Sequence, residues 1–244
     1  MYRVFYYVLG TLLKVVFRVR VEGRENIPNH GGVIFAANHD SFWDSLILLA
    51  VLPLHLRTML TAKAEYFYGR TWPRKLFARL ASIYALPVRR QGDDRSPRDN
   101  ENTLLTLEHY LCRGFGVGNH LEGTRTPIGY MYAGRLGTVQ QARRTRVPIV
   151  PVAILGARDR GLPGVVTVRF GTPISVQKYA HDDYDYDKLQ RREDIDDTRR
   201  VAQAIAQLGG LRYVDRVLTP AEARQLRSQG GDEWPEQAAC DEAA

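Results

Sequence analysis

Short apolar blocks and polar breaks succeed one another along this chain, and their spacing switches between strand-like and helix-like periods. Residues 18–23 alternate apolar and polar side chains, as a half-buried strand does. Val33-Ile34-Phe35-Ala36-Ala37 is an unbroken apolar run with the length and composition of a buried strand. Polar residues Asn38, His39, Asp40 and Ser41 interrupt it, and an apolar run over 43–49 then predicts a helix. Pro53 ends that helix, and residues 56–60 predict the next strand. An amphipathic helix is expected over 72–80, with Lys75 and Arg79 on its polar side, followed by a strand over 83–88 that runs into Arg89-Arg90.

After a polar surface loop, Leu104, Leu105, Leu107, Leu111 and Cys112 fit one face of a helix over about 99–112. Residues 115–119 read as a short strand weakened by glycine, and 134–144 as a helix. The run over 147–155 predicts a strand whose two prolines belong at its ends or at a bulge. A further strand is expected over 165–170. Residues 181–200 are densely charged, and Val201, Ala204, Ile205 and Leu208 then form a helical stripe. The acidic, small and polar stretch 230–244 has the composition of a disordered tail.

Strands that alternate with helices define an α/β fold, here a mixed, largely parallel sheet flanked by helices. Three parts are expected: an interfacial helix over 1–17, one domain over 18–215, and a C-terminal helix with the acidic tail over 216–244. The first 17 residues are apolar apart from Arg3, Lys14 and tyrosine hydroxyls. They fall short of the ~20 residues that span a bilayer, and they lack the layout of a secretory signal. Their aromatics, with Lys14, Arg18 and Arg20, suit an amphipathic helix in the membrane interface; a first helix packed into the core is the alternative.

At 244 residues the chain can bury a full core, and its charge adds where that core faces. Residues 1–181 hold 25 Lys and Arg against 12 Asp and Glu, a balance of +13, whereas 182–244 hold 9 against 15, a balance of −6. A basic body suits a membrane surface or a phosphorylated substrate. No binding motif or lysine-rich tract points to nucleic acid. Cys112 and Cys240 do not make a disulfide framework, which places the protein in a reducing, cytoplasmic setting.

Chemistry concentrates where strands end. His39 and Asp44 are five positions apart, too far round to share one face of a single helix. A His on the turn and an Asp in the first helical turn would instead meet as a general base and its orienting carboxylate. Asp44 could equally serve only the helix N-terminus. Lys63 follows the third strand, Arg89-Arg90 the fourth, and Glu122-Gly123-Thr124-Arg125 a later one. In an open α/β sheet such exits gather around one crevice, and this set suits an anionic substrate that brings its own hydroxyl.

These blocks resemble the glycerolipid acyltransferase family that includes the 1-acylglycerol-3-phosphate O-acyltransferases. The resemblance rests on Asn38-His39-x-x-x-x-Asp44, Ala62-Lys63-Ala64-Glu65, the block from Ile83 to Arg90, Glu122-Gly123-Thr124-Arg125, and Val147-Pro148-Ile149-Val150-Pro151-Val152. It covers about residues 20–175, with the blocks in the family's order. Leu121 and His120 stand where the family has proline and an aromatic residue, and Arg89 where it has aspartate; all three changes bear on the acceptor pocket.

The resemblance implies that His39 is the base and Asp44 its orienter. Arg90, Arg125 and Lys63 would hold the acceptor phosphate, with Glu122, Gly123 and Thr124 shaping that pocket. It implies no cofactor and no metal, with acyl-CoA or acyl-carrier protein as donor and lysophosphatidic acid as acceptor. The enzyme would be peripheral at a phospholipid membrane surface, on the cytoplasmic face. Another acceptor (a lysophospholipid, glycerol 3-phosphate or an amino-acid lipid) or a catalytically silent lipid-binding relative are the alternatives.

Overall fold

The computed structural model describes residues 10–11, 15–63, 85–88, 98–157, 164–179 and 186–229. The strands are β1 (Arg20–Glu22), β2 (Val33–Ala37), β3 (Met59–Lys63), β4 (Ala85–Val88) and β5 (Gly116–His120). They continue with β6 (Tyr130–Tyr132), β7 (Ile149–Leu155), β8 (Thr167–Phe170) and β9 (Arg212–Val214). The helices are α1 (Asp44–Val51), α2 (Arg98–Cys112), α3 (Gly137–Thr145), α4 (Tyr186–Gly209) and α5 (Pro220–Ser228). The main sheet has the order β1-β8-β7-β2-β5-β3-β4, and β6 pairs with β9 in a small second sheet.

Within the main sheet β7, β2, β5, β3 and β4 are mutually parallel. Strand β8 is antiparallel to β7, and β1 is parallel to β8. This is the mixed, largely parallel α/β sheet that the sequence predicts. Its parallel strands all point their carboxyl ends to one edge, so the exits of β2, β5, β3 and β4 share a rim.

Strand β2 sits at the centre with all five residues buried, and its period-2 alternation divides the core. Val33, Phe35 and Ala37 face Leu48 of α1, Val150, Val152, Ile154 and Phe170. Ile34 and Ala36 face Leu107 and Leu111 of α2, Val139 and Ala142 of α3, and Val201 and Ile205 of α4. Each large side chain fully buried in this way contributes roughly 1.5–3 kcal/mol. Gly118 in β5 permits the closeness of the α1 side, since a Cβ there would lie 2.5 Å from Leu60 Cδ2.

Several boundaries move for physical reasons. Strand β3 begins at Met59 because residues 54–56 form a 3-10 turn that Arg57 closes at φ 43°. Helix α3 begins at Gly137, because the chain before it is tied to β9, Ala133 N–H donating to Val214 O at 3.0 Å. The charged stretch expected ahead of the helical stripe is itself helical from Tyr186, and its inward residues Asp194 and Thr198 are polar.

Pro151 lies inside β7, neither at an end nor at a bulge. Its carbonyl accepts from Gly171 N–H at 2.8 Å, so its missing N–H faces the same side. There the ladder to β8 starts one residue later, at Val152, and no pairing is lost.

Near the N-terminus, Gly10 is buried against Ala50, and Phe17 is buried with its ring 5.2 Å from that of Trp43. Phe17 joins the core, whereas Val15 and Val16 are exposed. The rest of the expected interfacial helix, the helix over 72–80 and the acidic tail lie outside the described residues. Among the described residues no helix is long and apolar enough to cross a membrane.

Candidate active site

Asn38 decides where β2 stops. Its backbone leaves the sheet, but its fully buried side chain continues the pairing: Oδ1 accepts from Ile154 N–H at 2.7 Å and Nδ2 donates to Ile154 O at 3.0 Å. The amide thus stands in for one more strand residue and satisfies β7 while the main chain turns away. That turn delivers His39 over the carboxyl end of the sheet.

His39 Nδ1 lies 3.1 Å from Asp44 Oδ2, the pairing that the five-residue spacing predicts. The same oxygen accepts from Asp40 N–H at 2.8 Å and Ser41 N–H at 2.7 Å. Asp44 is fully buried at the start of α1, where the helix dipole favours its charge. It therefore orients His39 and closes the turn as well. A carboxylate facing Nδ1 favours the tautomer with its proton there, which leaves Nε2 as the acceptor.

The Glu122-Gly123-Thr124-Arg125 block meets His39 through its backbone. Glu122 is buried, its Oε2 accepting from His39 N–H at 3.0 Å and its Oε1 from Tyr132 N–H at 2.9 Å. Thr126 N–H donates to His39 O at 2.8 Å. Both backbone groups of His39 are thus held by one segment. Gly123 takes φ 67°, and its missing Cβ leaves room for the Arg135 side chain, whose Cδ and Nε would lie 2.7 Å from that position. Thr124 is buried and Arg125 half-buried beside it.

Burial, partly offset by the N–H groups of Tyr132 and His39, pushes the Glu122 carboxyl up to about 8. Burial and the neighbouring Asp44 push Asp40 up to about 7. A carboxyl raised in the folded state holds a proton that the unfolded chain releases earlier. Its contribution to stability is therefore full below about 4.5 for Glu122 and is lost as pH rises through about 8. The wild-type melting temperature should fall between about pH 4.5 and 8, and Glu122→Gln should flatten that fall. An equally steep fall in the variant would assign the titration to another group.

Of the expected cations, Lys63 is the last residue of β3, on the rim shared with His39, and its side chain lies outside the described residues. Arg90 and Arg89 lie outside them too. Sequence reasoning missed Arg135, which the left-handed turn at Gly123 accommodates, and the bracing role of Thr126. It noted His120 only as a departure, yet the ring of His120 stacks on that of His39 at 3.9 Å. Among the described residues no cluster of His, Cys, Asp and Glu could hold a metal ion.

Residues 18–155, which include the His–Asp turn and the Glu-Gly-Thr-Arg brace, match the family model described as Acyltransferase; the chain belongs to that family of acyl-transfer enzymes. Two similar proteins bear on the particular member. The 1-acyl-sn-glycerol-3-phosphate acyltransferase of Bacillus subtilis (strain 168) is 28% identical over 177 residues, which are 71% of this chain and 82% of that protein. The alpha form of that enzyme from Mus musculus is 29% identical over 175 residues, 68% of this chain and 58% of that protein.

Among solved structures, PlsC, the 1-acyl-sn-glycerophosphate (LPA) acyltransferase of Thermotoga maritima, shares the fold. The TM-score is 0.56 at 21% identity, over 81% of this chain and 78% of that one. Strand β8, α4, β9 and α5 lie beyond the residues matched to the family model, yet β9 pairs with β6 directly behind Glu122.

Proposed function

We propose that this chain moves a fatty acyl group from acyl-CoA or acyl-carrier protein to the hydroxyl of lysophosphatidic acid, giving phosphatidic acid. The observation that carries the reading is the 3.1 Å contact of His39 Nδ1 with Asp44 Oδ2, on a turn gripped at both backbone groups. The names of the relatives support the choice of acceptor.

In this scheme Asp44 holds the Nδ1 proton and Nε2 removes the acceptor's hydroxyl proton. The oxygen attacks the thioester carbonyl, a C–O bond forms, and the C–S bond breaks. The proton on His39 passes to the departing thiolate, so thiol and ester are the products. The substrate supplies the nucleophile, and the scheme calls for no acyl-enzyme, cofactor or metal.

The acceptor lies in a bilayer, so the proposal includes peripheral association with the cytoplasmic face of a membrane. Exposed Val15, Val16 and Phe42 adjoin the Phe17–Trp43 contact beside the catalytic turn and support this orientation.

Arg125, with Lys63 and Arg90, is assigned to the acceptor phosphate. A guanidinium grips phosphate through two parallel hydrogen bonds both before and during the reaction. Arg125→Ala should therefore raise KM for the lysophosphatidic acid acceptor by about tenfold or more and change kcat little. The test is thiol release from acyl-CoA with lysophosphatidic acid, other lysophospholipids and glycerol 3-phosphate. No release with any acceptor would overturn the function, and release with another acceptor alone would move the substrate. A raised KM for acyl-CoA instead would give Arg125 to the donor.

A further inference from the structure

His120 closes β5 on the side facing α1, and its ring lies parallel to that of His39, 15° between planes and 3.9 Å between centroids. Both of its nitrogens are engaged. Nδ1 lies 2.8 Å from the carbonyl oxygen of Asn38, a group that can only accept, so Nδ1 carries the proton. Nε2 is then an acceptor, and the Ser45 hydroxyl 2.8 Å away is its donor. The ring is held as one neutral tautomer, with the Ser45 hydroxyl donating to the nitrogen where a second proton would bind. Burial, reinforced by the neighbouring His39, holds its pKa down at about 3.

The anchors of this ring immediately flank the catalytic pair. Asn38 precedes His39, and Ser45 follows Asp44. His120 is thus tied to the segment that carries the base and its orienter, and touches the base itself through its face. The hydrogen bond at Nδ1 fixes one edge of the His39 ring. A flat partner held on one face fixes the plane of that ring. In a step where small misplacements can cost about 10²-fold, such a constraint acts on rate.

We propose that His120 is a positioning residue of the acyl-transfer reaction: it backs the His39 ring so that Nε2 stays aimed at the acceptor hydroxyl. As a neutral ring it also leaves the transferred proton to His39 alone. The inference rests on His39 being the base.

The experiment measures kcat and KM for acyl-CoA and lysophosphatidic acid in the full chain with His120→Ala, His120→Phe and His39→Ala. His120→Ala should lower kcat about 10–100-fold, with both KM values within about twofold of wild type. His120→Phe keeps a flat ring but loses both anchors, and it should recover most of kcat. A purely structural role would make Phe as damaging as Ala, because each breaks the bonds to Asn38 and Ser45.

Wild-type kcat in His120→Ala, or no recovery in His120→Phe, would overturn the proposal. Near wild-type activity in His39→Ala would instead sink the base assignment, a separate failure. Should the alanine variant not fold, imidazole nitrogen NMR of the wild-type protein still decides. It should show His120 as the Nδ1–H tautomer, silent between about pH 5 and 8. A His120 signal that titrates there would overturn the fixed neutral ring.

Discussion

His39→Ala should lose acyl transfer by about 10²–10⁴-fold while keeping a cooperative unfolding transition close to that of the wild type. The loss follows from the scheme, in which no other group stands ready at Nε2 to take the hydroxyl proton. The fold should survive because the hydrogen bonds that close and brace the turn do not use the ring. Its side chain is 17% exposed, and Asp44 Oδ2 keeps the N–H groups of Asp40 and Ser41. The grip of Glu122 and Thr126 falls on the His39 backbone, which the substitution leaves intact. Steady-state kinetics alongside a thermal melt provide the check. Near wild-type turnover would remove His39 from the mechanism, and an unfolded variant would show the ring to be structural.

The largest effect on stability should come from Arg143. Only 5% exposed, it joins α3 to the first half of α4. Its guanidinium meets Asp194 at 3.2 Å and Asp197 at 2.7 Å, donates to the carbonyl of Gln177, and lies 4.4 Å from the centre of the Tyr179 ring. Asp194, 1% exposed, also accepts from Gln140 at 3.0 Å and from the Tyr179 hydroxyl at 3.1 Å.

Removing one member of a buried ionic cluster leaves the other charges desolvated and poorly compensated, at a cost of about 3–5 kcal/mol. Arg143→Met retains much of the volume and should show that loss in urea denaturation. A loss below about 1 kcal/mol would mean that water or rearranged donors replace the guanidinium. The cluster also explains why this helix is hard to read: the face it buries there is charged, so the hydrophobic periodicity is absent until Val201.

The strand–turn–helix carrying His39 was legible because its determinants are adjacent. An apolar run, a polar break and a second apolar run specify it, and the His–Asp spacing fits that geometry alone. The Glu-Gly-Thr-Arg block was legible as a set of residue types. Its contact with the His39 backbone was not, since the hydrogen bond from His39 to Glu122 joins residues 83 positions apart.

Asn38 likewise read as a polar residue after a strand and as the first residue of a family block; its use as a substitute for strand backbone depends on β7 being the neighbour. Strands β6 and β9 escaped because three residues are too few to display alternation. Their pairing is what shifts the start of α3. His120 was visible as an unusual residue, but stacking is a property of two chain segments and leaves no mark on either.

The β6–β9 pairing sets an order on the making of this protein. Arg212 faces Tyr130, and the strand that supports the Glu122 brace is therefore completed only from residues synthesised more than 80 positions after it. While the chain emerges from the ribosome, the catalytic turn is made first, its clamp next, and the backing strand last. Pairings of such long sequence separation form late and slowly. A nascent chain halted at the end of β7 would contain every block shared with the family and still lack the strand that backs its Glu122 clamp.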